Sequence, residues 1–226
     1  AERVNGIVIP HITYTFAGAT RIGIGTINIS IIESVRYIKN ICYSLLENGF
    51  RRLLLLSYHG PAPLVAMTAV RELFEETGVP FAFIDLDRED LFKMFAWKSW
   101  VTEDVWFGVL KVLGKLDLIL NLPEPTQEQL AMRERKGMPK PMSEAFRYAT
   151  TIGYFYTHES QHYPYISKRY TVEELNKLAD EGIEKLQKIV DNINAEKLME
   201  NLKGFHEAMG KGDFTERFKR IKRHWI

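Results

Sequence analysis

One cysteine, Cys42, among 226 residues excludes an internal disulfide, and its place on an apolar helical stripe reads as a buried, inert thiol. No apolar run approaches the ~18 residues that a membrane helix needs, and no signal peptide is read, so a soluble cytoplasmic protein is the expectation. Charge of one sign is also lacking. Thirty Lys and Arg against 29 Asp and Glu leave a net charge of +1, which gives no drive toward nucleic acid or an anionic membrane. The basic tail Arg217–Ile226 is short on a neutral chain and reads as a solvated or subunit-contacting end. Internal repeats and low-complexity segments are absent. So are a Walker phosphate loop, a glycine-flanked serine elbow and a dinucleotide fingerprint; Gly18, Gly23 and Gly25 do not follow a clear strand.

What is present centres on Phe50–Val70. The run Leu53-Leu-Leu-Leu56 predicts a short strand buried on both faces, and Ser57-Tyr58-His59-Gly60-Pro61 breaks it. Pro63 opens a helix on which Leu64, Met67, Val70, Leu73 and Phe74 recur at spacings of three and four. His59 therefore sits on the loop leaving the carboxyl end of a core strand, where open α/β sheets bind their ligands.

Further strands are predicted at Gly6–Ile12, Val79–Asp85 and Leu116–Leu122. Helices are predicted behind the capping boxes Ser30-Ile-Ile-Glu33 and Thr171-Val-Glu-Glu174, over Asp104–Leu113, after Ser143, and after Asp87 or Asp90 through Phe95. Asn48-Gly49 and Thr77-Gly78 end two of them. Trp97, Trp100 and Trp106 read as packing groups. The stretch from Pro123 to Pro141, with four prolines and many charges around one short helical piece, suits a surface excursion of the lid type. Helices alternating with short apolar strands predict an α/β fold with a mainly parallel sheet. Residues 1–170 form the expected α/β domain, and residues 171–226 a C-terminal helical extension packed on it.

Thr157-His158-Glu159-Ser160-Gln161-His162 matches H-E-x-x-H, which on a helix sets two imidazoles on one face for zinc, with glutamate as general base. Pro164 lies two residues later and biases Tyr163 away from helical geometry. A zinc protease is thus the distant reading, and an active-site loop or surface polar groups are the others. Glu144, in the first turn after Ser143, reads in isolation as compensating a helix dipole.

Three pieces resemble the creatininase family of metal-dependent amidohydrolases. Val8-Ile-Pro-His-Ile-Thr-Tyr14, the loop after it and Gly25-Thr26 look like that family's strand, loop and Gly-Thr step. Asn48-Gly-Phe-Arg-Arg-Leu-Leu-Leu-Leu-Ser-Tyr-His-Gly60 is similar to its signature of an apolar strand entering a histidine-glycine loop. Ser143-Glu144-Ala145 sits where the family carries a late glutamate. The resemblance implies a three-layer α/β/α fold and a divalent-metal site, zinc or manganese, with His59 and Glu144 as ligands. It also implies a metal-activated water attacking a C–N (amide or formamide) or related carbonyl bond of a small polar molecule, in an oligomer. The chain departs from the pattern in three places. The family's earlier Glu, His and Asp belong to a segment upstream of Val8, its Glu-His pair is replaced by Ala19-Thr20, and Pro61-Ala62 stand after the signature histidine. The alternatives are a segment missing or supplied by another chain, a site rebuilt on His158, Glu159 and His162, and a degenerate metal-free subunit that assembles with an active partner.

Overall fold

The computed structural model describes residues 2–18, 21, 26–86, 102–134, 140–145, 147–148, 152–153 and 166–209. Helices and strands mix in an α/β chain, with α1 (Ile31–Glu47), β1 (Leu53–Ser57), α2 (Ala62–Thr77) and β2 (Phe81–Asp85) in the first part. They are followed by α3 (Glu103–Val112), α4 (Gln127–Glu134), α5 (Lys140–Ala145), α6 (Val172–Asn192) and α7 (Ala195–Met209). Two compact units emerge. The first joins Ala1–Phe16, Asn28–Trp100 and Ile193–Ile226; the second joins Ala17–Ile27 and Val101–Asn192. The helical stretch from Thr171 onward divides between them.

In the first unit β1 and β2 pair parallel, from Leu53 opposite Phe81 to Ser57 opposite Asp85, with α2 as the crossover. A parallel pair requires such a long connection. The core gathers Val35, Ile38, Cys42 and Leu46 of α1, Val65, Ala69 and Leu73 of α2, and Val79 and Phe81. Leu53 and Leu55 pack against this cluster, so period-two alternation turns Leu54 and Leu56 to the opposite face. β1 is accordingly half-buried rather than buried on both faces, and Leu56 is 52% exposed. Burial pushes the Cys42 thiol up to about 11, which keeps it protonated and unreactive at neutral pH.

The helix ends follow local chemistry. Ser30 Oγ accepts the Glu33 N–H at 3.2 Å, although the Glu33 carboxylate turns to Arg36 instead of closing the capping box. Gly78 stops α2 at φ +67°, a left-handed conformation that costs glycine little, and its N–H returns to the Phe74 carbonyl. α1 and α2 are clasped by Lys39, whose ammonium lies 2.6 Å from both Glu72 and Glu76; Tyr43 also donates to Glu76. Desolvation pulls the Lys39 pKa down, but the two glutamates outweigh it and hold it above its ordinary value. The Lys39 side chain is 8% exposed, Glu76 16% and Glu72 48%. Lys39→Ala leaves the Glu76 carboxylate with its cation gone, while Glu72 relaxes into water. The expected loss is about 2 kcal/mol, below the ~3–5 kcal/mol typical of a fully buried pair. Urea unfolding measures it, and a variant as stable as the parent refutes the clasp.

The second unit is built on α3 against α6. Phe107, Leu175 and Ala179 are sealed there with Ile119 and Ile166, and Phe107 meets Tyr170 edge-on at 5.2 Å between centroids. Gly108 and Gly182 face this contact: a Cβ on Gly108 would lie 2.8 Å from the Ile183 nitrogen, and one on Gly182 would overlap the Asp104 carbonyl. α6 begins at a complete capping box, with Thr171 N–H donating to Glu174 and Glu174 N–H to Thr171 Oγ1.

Further sequence expectations are corrected. Leu116–Asn121 is a 3-10 helix, not a strand. Leu116, Ile119 and Leu122 pack on the second core, a spacing of three that matches the 3-10 period and wins over alternation. Gly6–Ile12 forms no strand; Ile7 and Val8 stay exposed and only Ile12 packs against the first core. Ser143 lies inside α5 rather than capping it, because Pro141 occupies the first turn, where proline is tolerated. The expected helix from Asp87 or Asp90 through Phe95, Trp97 and Trp100, the Ala19-Thr20 and Gly23–Gly25 positions, and the basic tail lie outside the described residues. Trp106, expected to pack, is 45% exposed on α3. No helix among the described residues is long and apolar enough to cross a membrane.

Candidate functional site

β1 delivers Ser57, Tyr58 and His59 to its carboxyl end, and β2 delivers Asp85 to the same rim through the Ser57–Asp85 register. The pairing extends one step further, with Leu86 N–H donating to the Ser57 carbonyl at 2.7 Å. Since residues alternate faces, Ser57 and Asp85 share the face of Leu53 and Phe81, which is the α1–α2 side of the sheet. His59 follows on the loop. Its N–H donates to Ser57 Oγ at 3.1 Å, and its carbonyl accepts from Ala62 N–H at 2.8 Å as α2 begins.

His59 keeps an exposed surface at this rim. Part of the imidazole is nevertheless withdrawn from water, and that desolvation lowers its pKa below the ordinary 6.5. At pH 7 the ring is therefore neutral, with one nitrogen able to accept a proton or ligate a cation. Burial raises the neighbouring Tyr58 phenol above its ordinary value, which keeps it protonated.

The other predicted site residues are placed differently. Glu144 is exposed in the last turn of α5, in the second unit, so it does not compensate a helix N-terminal dipole as expected. His158, Glu159 and His162 lie outside the described residues. Among the described residues no three His, Cys, Asp or Glu side chains gather as a group that could hold a metal.

A second polar cluster, in the second unit, went unread in the sequence. A hollow of about 470 Å³ is lined by Glu103, Asp104, Tyr170, Leu178, Glu181 and Lys185, with Thr102 at its edge. Its polar groups largely satisfy one another. Glu103 accepts from Ser167 N–H, from Ser167 Oγ at 2.7 Å and from Tyr170 Oη at 3.1 Å, and Asp104 accepts from Thr102 and Lys185. The Thr102-Glu-Asp104 helix start was the available signal, but its partners lie more than 60 residues away.

This network and the capping box of α6 are acid-sensitive. Desolvation raises the Asp104 pKa, but the hydrogen bonds from Lys185 and Thr102 outweigh it and hold the carboxyl below 3.8. Lys168, then the Thr171 N–H, hold Glu174 down at about 2 against an ordinary 4.5. Both groups have depressed folded-state pKa values, so their stabilisation is present above the unfolded values and fades as pH falls through the folded ones. The melting temperature is expected to drop between about pH 4.5 and about 2, and less steeply in Asp104→Asn. An equal slope in that variant contradicts the assignment to Asp104.

No protein-family model matches the chain, and no curated protein or solved structure matches it either, so the family resemblance stands on its motif residues.

Proposed function

We propose that the chain is a creatininase-like hydrolase. It acts on a C–N bond (amide or formamide), or a related carbonyl bond, of a small polar molecule in a three-layer α/β/α domain. The observation that supports this reading is the parallel β1–β2 pair with its helical crossover, which sets His59, Ser57 and Asp85 on one carboxyl rim. A neutral His59 there takes a proton from the attacking water, and the α1–α2 side of the rim receives the substrate.

The resemblance brings a divalent metal with it. A catalytic zinc takes about three protein ligands, and the described residues gather no such group. The described residues alone do not fit the ion, so the proton step above is assigned to His59 and not routed through a metal. Hydrolysis of a panel of small amides, formamides and cyclic amides, followed by product release with and without added zinc or manganese, tests the reading. Turnover above background is expected for at least one substrate; a flat panel in every condition counts against it.

A second reading is a subunit that completes an active partner, as a homo-oligomer or a hetero-oligomer with a related chain. The exposure of Ile7 and Val8, at 73% and 80%, favours it, since a second chain could cover these apolar side chains. Sedimentation distinguishes the two. A monomer at micromolar concentration that turns over a substrate removes the second reading.

A further inference from the structure

We infer that Ser57 is a positioning residue for His59, a role that rests on the hydrolase reading for its use but on local geometry for its existence. Ser57 is the one polar residue of β1, after four leucines, and both its carbonyl and its hydroxyl accept hydrogen bonds at the strand's end. Its carbonyl receives Leu86 N–H at 2.7 Å, which fixes the end of the strand against β2. Its hydroxyl accepts the His59 N–H at 3.1 Å, folding the loop back on the strand two residues on.

With the His59 carbonyl held by the first turn of α2 at 2.8 Å, the residue is fixed on both sides of its Cα. The backbone that carries the imidazole is thus pinned between strand and helix. The side chain itself stays open to the rim. A hydroxyl has two acceptor lone pairs and one donor, so Ser57 retains an O–H after accepting from His59. Ser57 shares its face of the sheet with Asp85.

No apolar residue reproduces this. Alanine at position 57 keeps the strand pairing, which uses only backbone, and removes the hydroxyl. Threonine suits a strand and keeps it. The inference therefore separates loop control from strand stability, and the conservative variant restores what the truncation loses.

Amide hydrogen exchange of the full chain, resolved at single residues, is the test. In the parent, the His59 amide should exchange more slowly than the Gly60 amide, which makes no comparable bond to Ser57. In Ser57→Ala the His59 amide should speed up about fivefold to tenfold, the range one net hydrogen bond supplies, with the Leu55 amide unchanged. In Ser57→Thr it should return to the parent rate. With a substrate in hand, kcat should fall about tenfold in Ser57→Ala at nearly constant KM and recover in Ser57→Thr, for a loosened imidazole costs orientation rather than binding.

Unaltered His59 exchange in Ser57→Ala overturns the inference, and so does an equal loss in both variants. Should Ser57→Ala not fold, the parent decides it: a His59 amide as fast as that of Gly60 is fatal. A chain with no turnover whose His59 protection still tracks the hydroxyl removes the hydrolase reading and leaves the positioning role intact.

Discussion

Gly182→Ala is expected to destabilise the second unit by roughly 2 kcal/mol or more, although alanine is the better helix former by about 1 kcal/mol. Two effects oppose each other, and their sizes decide the sign. The added methyl on α6 would overlap the Asp104 carbonyl and crowd the Val105 nitrogen, both backbone atoms of α3 that cannot swing aside. The helices must therefore part. Parting them loosens Phe107, Leu175 and Ala179, the most deeply sealed residues of that core. Gly204 supplies the contrast. It lies within α7, and an added methyl there would have nothing within 4 Å, so Gly204→Ala meets only the propensity gain, up to about 1 kcal/mol of stabilisation. Opposite shifts of melting temperature from the same chemical change confirm the packing account; two shifts of the same sign refute it.

His59→Ala is expected to lower kcat by about 10²- to 10⁴-fold, the range for loss of a general base. Stability should change by no more than ~0.5 kcal/mol, since the residue is exposed and its backbone bonds survive the substitution. The combination discriminates. A folded, inactive variant supports a chemical role at the rim, whereas a folded and active one moves the chemistry elsewhere. His59→Gln, which keeps hydrogen bonding without a basic nitrogen, should be as slow as alanine if proton transfer is the lost function.

Local chemistry carried much of this fold openly. The caps at Ser30, Thr171 and Gly78 act through neighbours three or four residues away, so their partners sit in the same short window of sequence. A further box at Thr126 and Gln129 heads α4 and obeys the same rule, yet it passed unnoticed within the proline-rich stretch. The parallel pairing of β1 and β2 follows from apolar runs joined by a helix. Leu116–Asn121 misleads because its leucines satisfy both a two-residue and a three-residue period, and only packing against α3 and α6 decides between them. The Lys39 clasp and the Glu103–Ser167 contact join residues 33 to 64 positions apart, which no local pattern announces. At the site, the place of His59 was legible from the break after four leucines. The role of Ser57 was not, for it depends on a hydrogen bond that only the folded loop reveals.

Mapping of backbone amide shifts, while the small amide turned over fastest is titrated into the protein, locates the reacting group most directly. Perturbations concentrated at residues 57–60 and 85–86 are the predicted result. Perturbations centred on the Glu103–Lys185 hollow, with the strand ends silent, contradict a site at the sheet's carboxyl rim.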